Sequence, residues 1–165
     1  MKDYAKFYHK LTTMFQAKPA AIRWLQVSNR LLTTIMYGLY ALSLIYLFCT
    51  QAERLLPFLL IPACAFVLVS ALRKWLNAPR PYETWEISPL IVKKTKGQSM
   101  PSRHAFSASL IGMVILRLQL ILGSFVLFLA LGLALCRVLG GVHYPRDVIA
   151  GFLLGLACGS LLFLF

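Results

Sequence analysis

Acidic residues are scarce in this chain. Five Asp and Glu stand against 17 Lys and Arg in 165 residues, for a formal net charge of +12. Carboxylates this few and this scattered make no metal-binding cluster, so neither a metal nor any other cofactor is expected. Cys49, Cys64, Cys136 and Cys158 lack metal-type spacing and fall within or beside apolar runs. They read as small packing residues, which excludes a disulfide framework. No internal repeat is present. A cleavable signal peptide is not expected, because Lys6, His9, Lys10 and Lys18 interrupt any apolar core at the N-terminus.

What the chain has instead is hydrocarbon. Hydrophobic residues make up 59% of it, in runs close to the roughly 20 residues that one membrane-spanning helix requires. This predicts a single polytopic membrane domain with little room for a soluble module. The positive charge does not point to nucleic acid, because the basic residues lie between and beside the apolar runs. Anionic lipid head groups or phosphorylated substrates are the simpler partners there.

The predicted fold is all-α: a polytopic membrane helical bundle of about five transmembrane helices plus an N-terminal interfacial amphipathic helix. Residues 1–30 form a basic segment in which Phe7, Leu11, Met14 and Phe15 recur at helical spacing and Pro19 splits the stretch in two. It is expected to lie on anionic lipid. Residues 31–165 form the membrane-embedded domain, with spans at 31–50, 55–72, about 104–116, roughly 120–136 and 146–165. Pro57 and Pro62 are expected to kink the second span. Gly151 and Gly155, four apart in the last, allow a close helix approach. Counting spans puts the polar loops 73–103 and 137–145 on the same side of the membrane.

Those two loops carry nearly all the titratable chemistry. In the second, Pro145 suits the first position of a helix, which places Asp147 near the third, able to reach back to His143. A His whose second ring nitrogen faces a carboxylate is held in one tautomer and made more basic. Arg137 can offer a fixed fork to an oxyanion. In the first loop, Arg73 and Arg80 are seven residues apart, close to two helical turns, and Pro79 and Pro81 stiffen the backbone around Arg80. The loop ends in Gln98-Ser99-Met100-Pro101-Ser102-Arg103-His104, where Ser102 is a natural N-cap and the free backbone N–H groups of a helix start suit an anion. His104 then stands where a proton donor to a leaving group is needed. Taken singly, each of these groups is as consistent with anchoring a helix end.

Together they resemble the type 2 phosphatidic acid phosphatase superfamily, integral membrane lipid phosphatases that share their site with vanadium-dependent haloperoxidases. The family pattern is a Lys, six residues and Arg-Pro; then Pro-Ser-any-His; then Ser-Arg, five residues, His, three residues and Asp. Here Arg80-Pro81 fits the first motif, Pro101-Ser102-Arg103-His104 the second, and Arg137, His143 and Asp147 the third. Arg73 replaces the family's leading Lys, with Lys74 one position late, and Cys136 replaces the Ser before Arg137. The resemblance implies a metal-independent phosphatase in which His143 is the nucleophile, Asp147 its orienter and His104 the acid and base. Arg73 or Lys74, Arg80, Ser102, Arg103 and Arg137 would bind phosphate. Phosphatidylglycerophosphate, phosphatidate and undecaprenyl pyrophosphate are the substrates it brings to mind, in the cell membrane of a bacterium.

The alternative reading is a non-catalytic module that binds or translocates a lipid phosphate, using the arginines without needing His104 or the His143–Asp147 pair. Orientation divides the indications. The density of Lys and Arg on the loop side favours the cytoplasm, whereas the resemblance favours the extracytoplasmic face.

Overall fold

Proline and polar residues cut the chain into seven helices among the residues described by the computed structural model, which are 3–16, 18–93 and 95–165. These are α1 (Tyr4–Gln16), α2 (Pro19–Thr50), α3 (Ala52–Leu76), the single turn α4 (Pro81–Thr84), α5 (Arg103–Leu118), α6 (Leu120–Leu139) and α7 (Pro145–Ser160), followed by a 3-10 turn at Leu161–Leu164. Lys2, Lys94 and the side chain of Met14 lie outside the described residues. Four segments are long and apolar enough to cross a membrane: Pro19–Thr50, Ala52–Thr84, Leu120–Leu139 and Pro145–Leu164. Large apolar side chains such as Phe48, Val67, Phe128 and Leu153 are exposed on their outer faces, as expected of surfaces that meet lipid. The protein is an integral membrane protein.

The third predicted span, α5, differs from the others. Its 16 residues rise only ~24 Å at 1.5 Å each, short of a full hydrocarbon layer. It is also the most enclosed helix. Ala105, Phe106, Ala108, Leu110, Ile111, Val114 and Ile115 are all buried, and they tie together clusters reaching α2, α3, α6 and α7. A helix covered on every side by protein does not need a full lipid-spanning length.

The closest packing is between α5 and α7, and glycine makes it possible. A Cβ on Gly151 would overlap the Ser102 carbonyl, and one on Gly155 would overlap Ser109 Oγ and the Phe106 carbonyl. With no side chain there, Ser109 Oγ donates across to the Phe152 carbonyl at 2.9 Å. Gly155→Leu is therefore expected to cost on the order of 3 kcal/mol through overpacking, read as loss of monodisperse protein after detergent extraction. Gly38→Leu, at a glycine with open space around it, serves as the control that keeps its yield.

Pro57 and Pro62 sit inside α3 without ending it. Pro62 has no N–H for the carbonyl four residues back, at Phe58. Tyr40 of α2 supplies the missing donor, its hydroxyl reaching the Phe58 carbonyl at 3.1 Å.

The N-terminal expectation needs correcting in one respect. The helix break falls at Pro19, as predicted, but 19–30 then continue into α2 as a single 32-residue helix instead of belonging to the interfacial segment. Pro19 occupies its start and no further breaker interrupts the run, so the charges at Arg23 and Arg30 simply take exposed positions. The face of α1 that packs on protein is Tyr4, Tyr8 and Thr12, spaced by four and all buried, while Phe7 on the other stripe is 41% exposed. Tyr4 packs edge-on against Tyr144, with ring centroids 4.7 Å apart, and Tyr8 donates to the Leu139 carbonyl at 3.1 Å. This helix rests on protein, against the loop that carries His143.

Candidate active site

The two polar loops meet at one end of the bundle. Asn77 adopts a left-handed conformation that stops α3, and the chain returns so that Ser99 N–H donates to the Ala78 carbonyl at 2.8 Å. Ile91 N–H donates to the Gly140 carbonyl at 3.1 Å, and Ser102 N–H to the Asp147 carbonyl at 2.8 Å. Gly140-Gly141 ends α6. Gly141 has φ +71°, and a side chain there would strike the Tyr8 ring, so only glycine permits both the turn and the seat for α1.

Arg73, Arg80, Arg137, His143 and Asp147 converge here, none more than 3% exposed. They do different work. Arg73 donates to the carbonyls of Gln98, Ser99 and Pro101, so its charge pins the strand of chain leading into α5. Lys74, about 100° further round the helix, is exposed and shares none of these contacts. Arg80 links the loops: its Nε donates to the Gly97 carbonyl at 3.0 Å and its Nη1 to the Val142 carbonyl at 3.1 Å. Arg137 is held by one nitrogen only, Nη1 donating to Asn29 Oδ1 at 3.0 Å. Among the described residues its Nε and Nη2 are buried without a hydrogen-bond partner, as is Ser102 Oγ. Ser102 stands at the N-cap position of α5 without capping through its side chain. Arg103 is exposed on the first turn of α5 and His104 is half-buried.

The expected His143–Asp147 contact has a third member. His143 Nδ1 is 3.9 Å from Asp147 Oδ2, too long for a hydrogen bond. Ser99 Oγ lies between them, 3.3 Å from His143 Nδ1 and 2.5 Å from Asp147 Oδ2, to which it donates. The distance to the carboxylate is that of a charge-assisted O–H···O⁻ bond. With the Ser99 proton committed to Asp147, its oxygen is free to accept from Nδ1–H, which leaves Nε2 with its lone pair. Asp147 Oδ2 also accepts from Tyr144 N–H at 3.1 Å, fixing the carboxylate to the start of α7. Burial, and then the positive charges of Arg137, Arg80, Arg73 and Lys93, hold the His143 imidazole well below its ordinary pKa. It is a neutral ring at neutral pH.

Three contributors were not picked out from the sequence. Ser99 lies in the stretch that leads into His104 but matches no motif position. Asn29 falls in residues assigned to the interfacial segment, so its reach to Arg137 was invisible. Lys93 lies in the first polar loop outside any motif, yet its charge is felt at both His143 and His104. Among the described residues no group of three or more His, Cys, Asp or Glu is placed to hold a metal ion.

Residues 54–165 match the model of the PAP2 superfamily. The chain belongs to the PAP2 superfamily. It is 31% identical over 135 residues to the bacitracin transport permease protein BcrC of Bacillus licheniformis, an alignment covering 79% of this chain and 65% of that protein. The chain thus spans just under two thirds of the length of that relative. Among solved structures it is similar to LpxE of Aquifex aeolicus, with a TM-score of 0.64 and 26% identity, over 87% of this chain and 94% of that one. The PAP2-type phosphatidylglycerolphosphate phosphatase of Bacillus subtilis shares the fold, with a TM-score of 0.51 and 21% identity over 95% and 90% of the two chains. The PAP2 match begins at residue 54, so Asn29 and the Tyr4–Tyr8 face reach the site from outside it.

Proposed function

We propose that this PAP2 chain is a metal-independent hydrolase of phosphate groups carried on membrane lipids, working through a phosphohistidine at His143. The observation that carries the reading is the set of buried, unpartnered donors, Arg137 Nε and Nη2 and Ser102 Oγ, on the same polar end as a neutral His with a free Nε2. Buried donors left unpaired are costly, and a phosphoryl group supplies the acceptors they lack. An apolar groove of about 570 Å³ between α3 and α7, bordered by Leu60, Leu68, Leu72 and Leu154, runs up to the neighbour of Arg73 and suits an acyl or prenyl chain.

In the first step His143 Nε2 bonds to phosphorus while the bond from phosphorus to the leaving oxygen breaks, and His104 gives that oxygen its proton. The positive charge gained by the imidazole stays on the ring and is stabilised by the Asp147 carboxylate through the Ser99 hydroxyl, with no proton passed to Asp147. In the second step His104 takes a proton from water, the water oxygen bonds to phosphorus and the P–N bond breaks, releasing inorganic phosphate. Arg137, with Ser102 and the N-terminus of α5, meets the negative charge that builds on the phosphoryl oxygens. Arg73 and Arg80 hold the loops and add to the positive field, with Arg103 at the rim and Lys74 outside. The site opens to the extracytoplasmic side of a bacterial cell membrane, which labelling a Cys introduced between residues 85 and 98 with an impermeant reagent on intact cells would test.

Detergent-solubilised protein is expected to release phosphate from a panel of phosphatidate, phosphatidylglycerophosphate and undecaprenyl pyrophosphate, with the rate unchanged by a chelator. A module that only binds or translocates lipid phosphate releases none. Release that stops with chelator and returns with a divalent cation would overturn the metal-independent mechanism.

A further inference from the structure

A half-buried cation at this end of the bundle lies outside the motif residues. Lys93 is half-buried in loop 77–102, and among the described residues its ammonium has no hydrogen-bond or ion-pair partner. It lines a cleft of about 690 Å³ with Asn77, Pro79, Tyr82, Glu83, Lys96 and Gly97. The cleft adjoins Arg80, since Pro79 and Tyr82 flank that residue and Gly97 accepts its Nε–H.

Among the described residues no carboxylate forms an ion pair with Lys93. Glu83 is the acidic residue there, and both its oxygens are already engaged, Oε2 by Arg80 N–H at 2.9 Å and Oε1 by Gly97 N–H at 2.7 Å. These bonds brace the cleft from both sides. The surroundings are cationic instead: burial, and then the charges of Arg80, Arg137, Arg103 and Arg73, push the Lys93 pKa down to about 8. An ammonium kept in such a field, partly out of water, is stabilised by an anion bound beside it. The phosphoryl group under attack already has Arg137 and Ser102. A second anionic group is what the cleft fits.

We propose that Lys93 and the cleft it lines form a subsite for the lipid-linked phosphate of a diphosphate, so that the chain takes a lipid diphosphate in preference to a monoester. The proposal rests on the phosphatase reading above. His143 Nε2 attacks the terminal phosphorus, and the bond from that phosphorus to the bridging oxygen breaks. The bridging oxygen leaves with the lipid monophosphate, its charge met by Lys93 or by a proton from His104, which feels the Lys93 charge. Water then releases the terminal phosphate from His143.

The test compares wild type, Lys93→Met and Lys93→Arg on a prenyl diphosphate and the matching prenyl monophosphate in the same detergent. A charge-assisted contact of this kind sets the expected scale. Lys93→Met should lower the ratio of diphosphate to monophosphate kcat/KM by roughly 10- to 100-fold, with Lys93→Arg recovering much of it. Equal losses on both substrates, or no change in the ratio, would overturn the subsite. A second measurement does not depend on turnover: calorimetric binding of inorganic pyrophosphate and of orthophosphate. Wild type should bind pyrophosphate more tightly, and Lys93→Met should close that gap; an unchanged gap counts against the proposal. If wild type hydrolyses no lipid phosphate yet shows the Lys93-dependent gap, the phosphatase reading fails and the diphosphate subsite stands.

Discussion

His143→Ala is expected to abolish phosphate release, by at least about four orders of magnitude, while the variant extracts and elutes as wild type does. The loss should be this large because in the proposed mechanism His143 makes the new bond to phosphorus, whereas the remaining groups can bind and polarise but cannot attack. The diagnostic is the intermediate. Radiolabelled substrate, quenched in alkali where a phosphoramidate survives, should label wild type and leave His143→Ala unlabelled. With an aryl phosphate, whose leaving group needs no proton, His104→Gln should accumulate label, because formation no longer depends on His104 whereas breakdown does. Label retained in His143→Ala would sink the assignment of the nucleophile.

Ser99 should give a graded effect beside these. In Ser99→Ala the 3.9 Å gap between His143 Nδ1 and Asp147 Oδ2 loses its bridge. Phosphoenzyme should still form, but more slowly by roughly 10²-fold, within the range general acid–base groups contribute. A Ser99→Ala enzyme as fast as wild type would mean that His143 and Asp147 communicate without the hydroxyl.

The helices and the convergence of the two loops were legible in the sequence because both follow from period, length and order. Apolar runs near 20 residues define spans, and an even number of crossings returns the chain to the same side. The phosphate-site motifs were legible for a related reason: their spacing is local, and Pro145 at the head of α7 fixes where Asp147 falls. What escaped was long-range. Asn29 and Arg137 are 108 residues apart, and no local pattern joins them. Ser99 could be seen, but not that it would fall between a His and an Asp 44 and 48 residues away. The protein-packing face of α1 was not legible because the Tyr4–Tyr8–Thr12 stripe and the Phe7–Leu11 stripe are both helical in period. Only the packing against Tyr144 and Leu139 decides between them.

Arg137→Ala should lower kcat/KM by about 10³- to 10⁴-fold, larger than for any other arginine of the site. The reason lies in how each guanidinium is occupied. Arg73 is committed to three backbone carbonyls and Arg80 to two, so their first duty is to hold loops. Arg137 has one nitrogen fixed by Asn29 and two buried donors unspent. Donors preorganised in this way around a developing oxyanion are worth roughly 10²- to 10³-fold each. Arg137→Lys should recover little, since a single ammonium can neither match the two-pronged geometry nor keep the bond to Asn29 at the same time. Arg73→Ala should instead reduce the amount of folded protein, because the carbonyls of residues 98, 99 and 101 lose their donor. Asn29→Ala separates positioning from binding. It removes the anchor but not the two free donors, so it should lower kcat with Arg137 present and have almost no further effect in the Arg137→Ala background. Additive losses in that double mutant would mean that Asn29 acts on the site by some route other than Arg137.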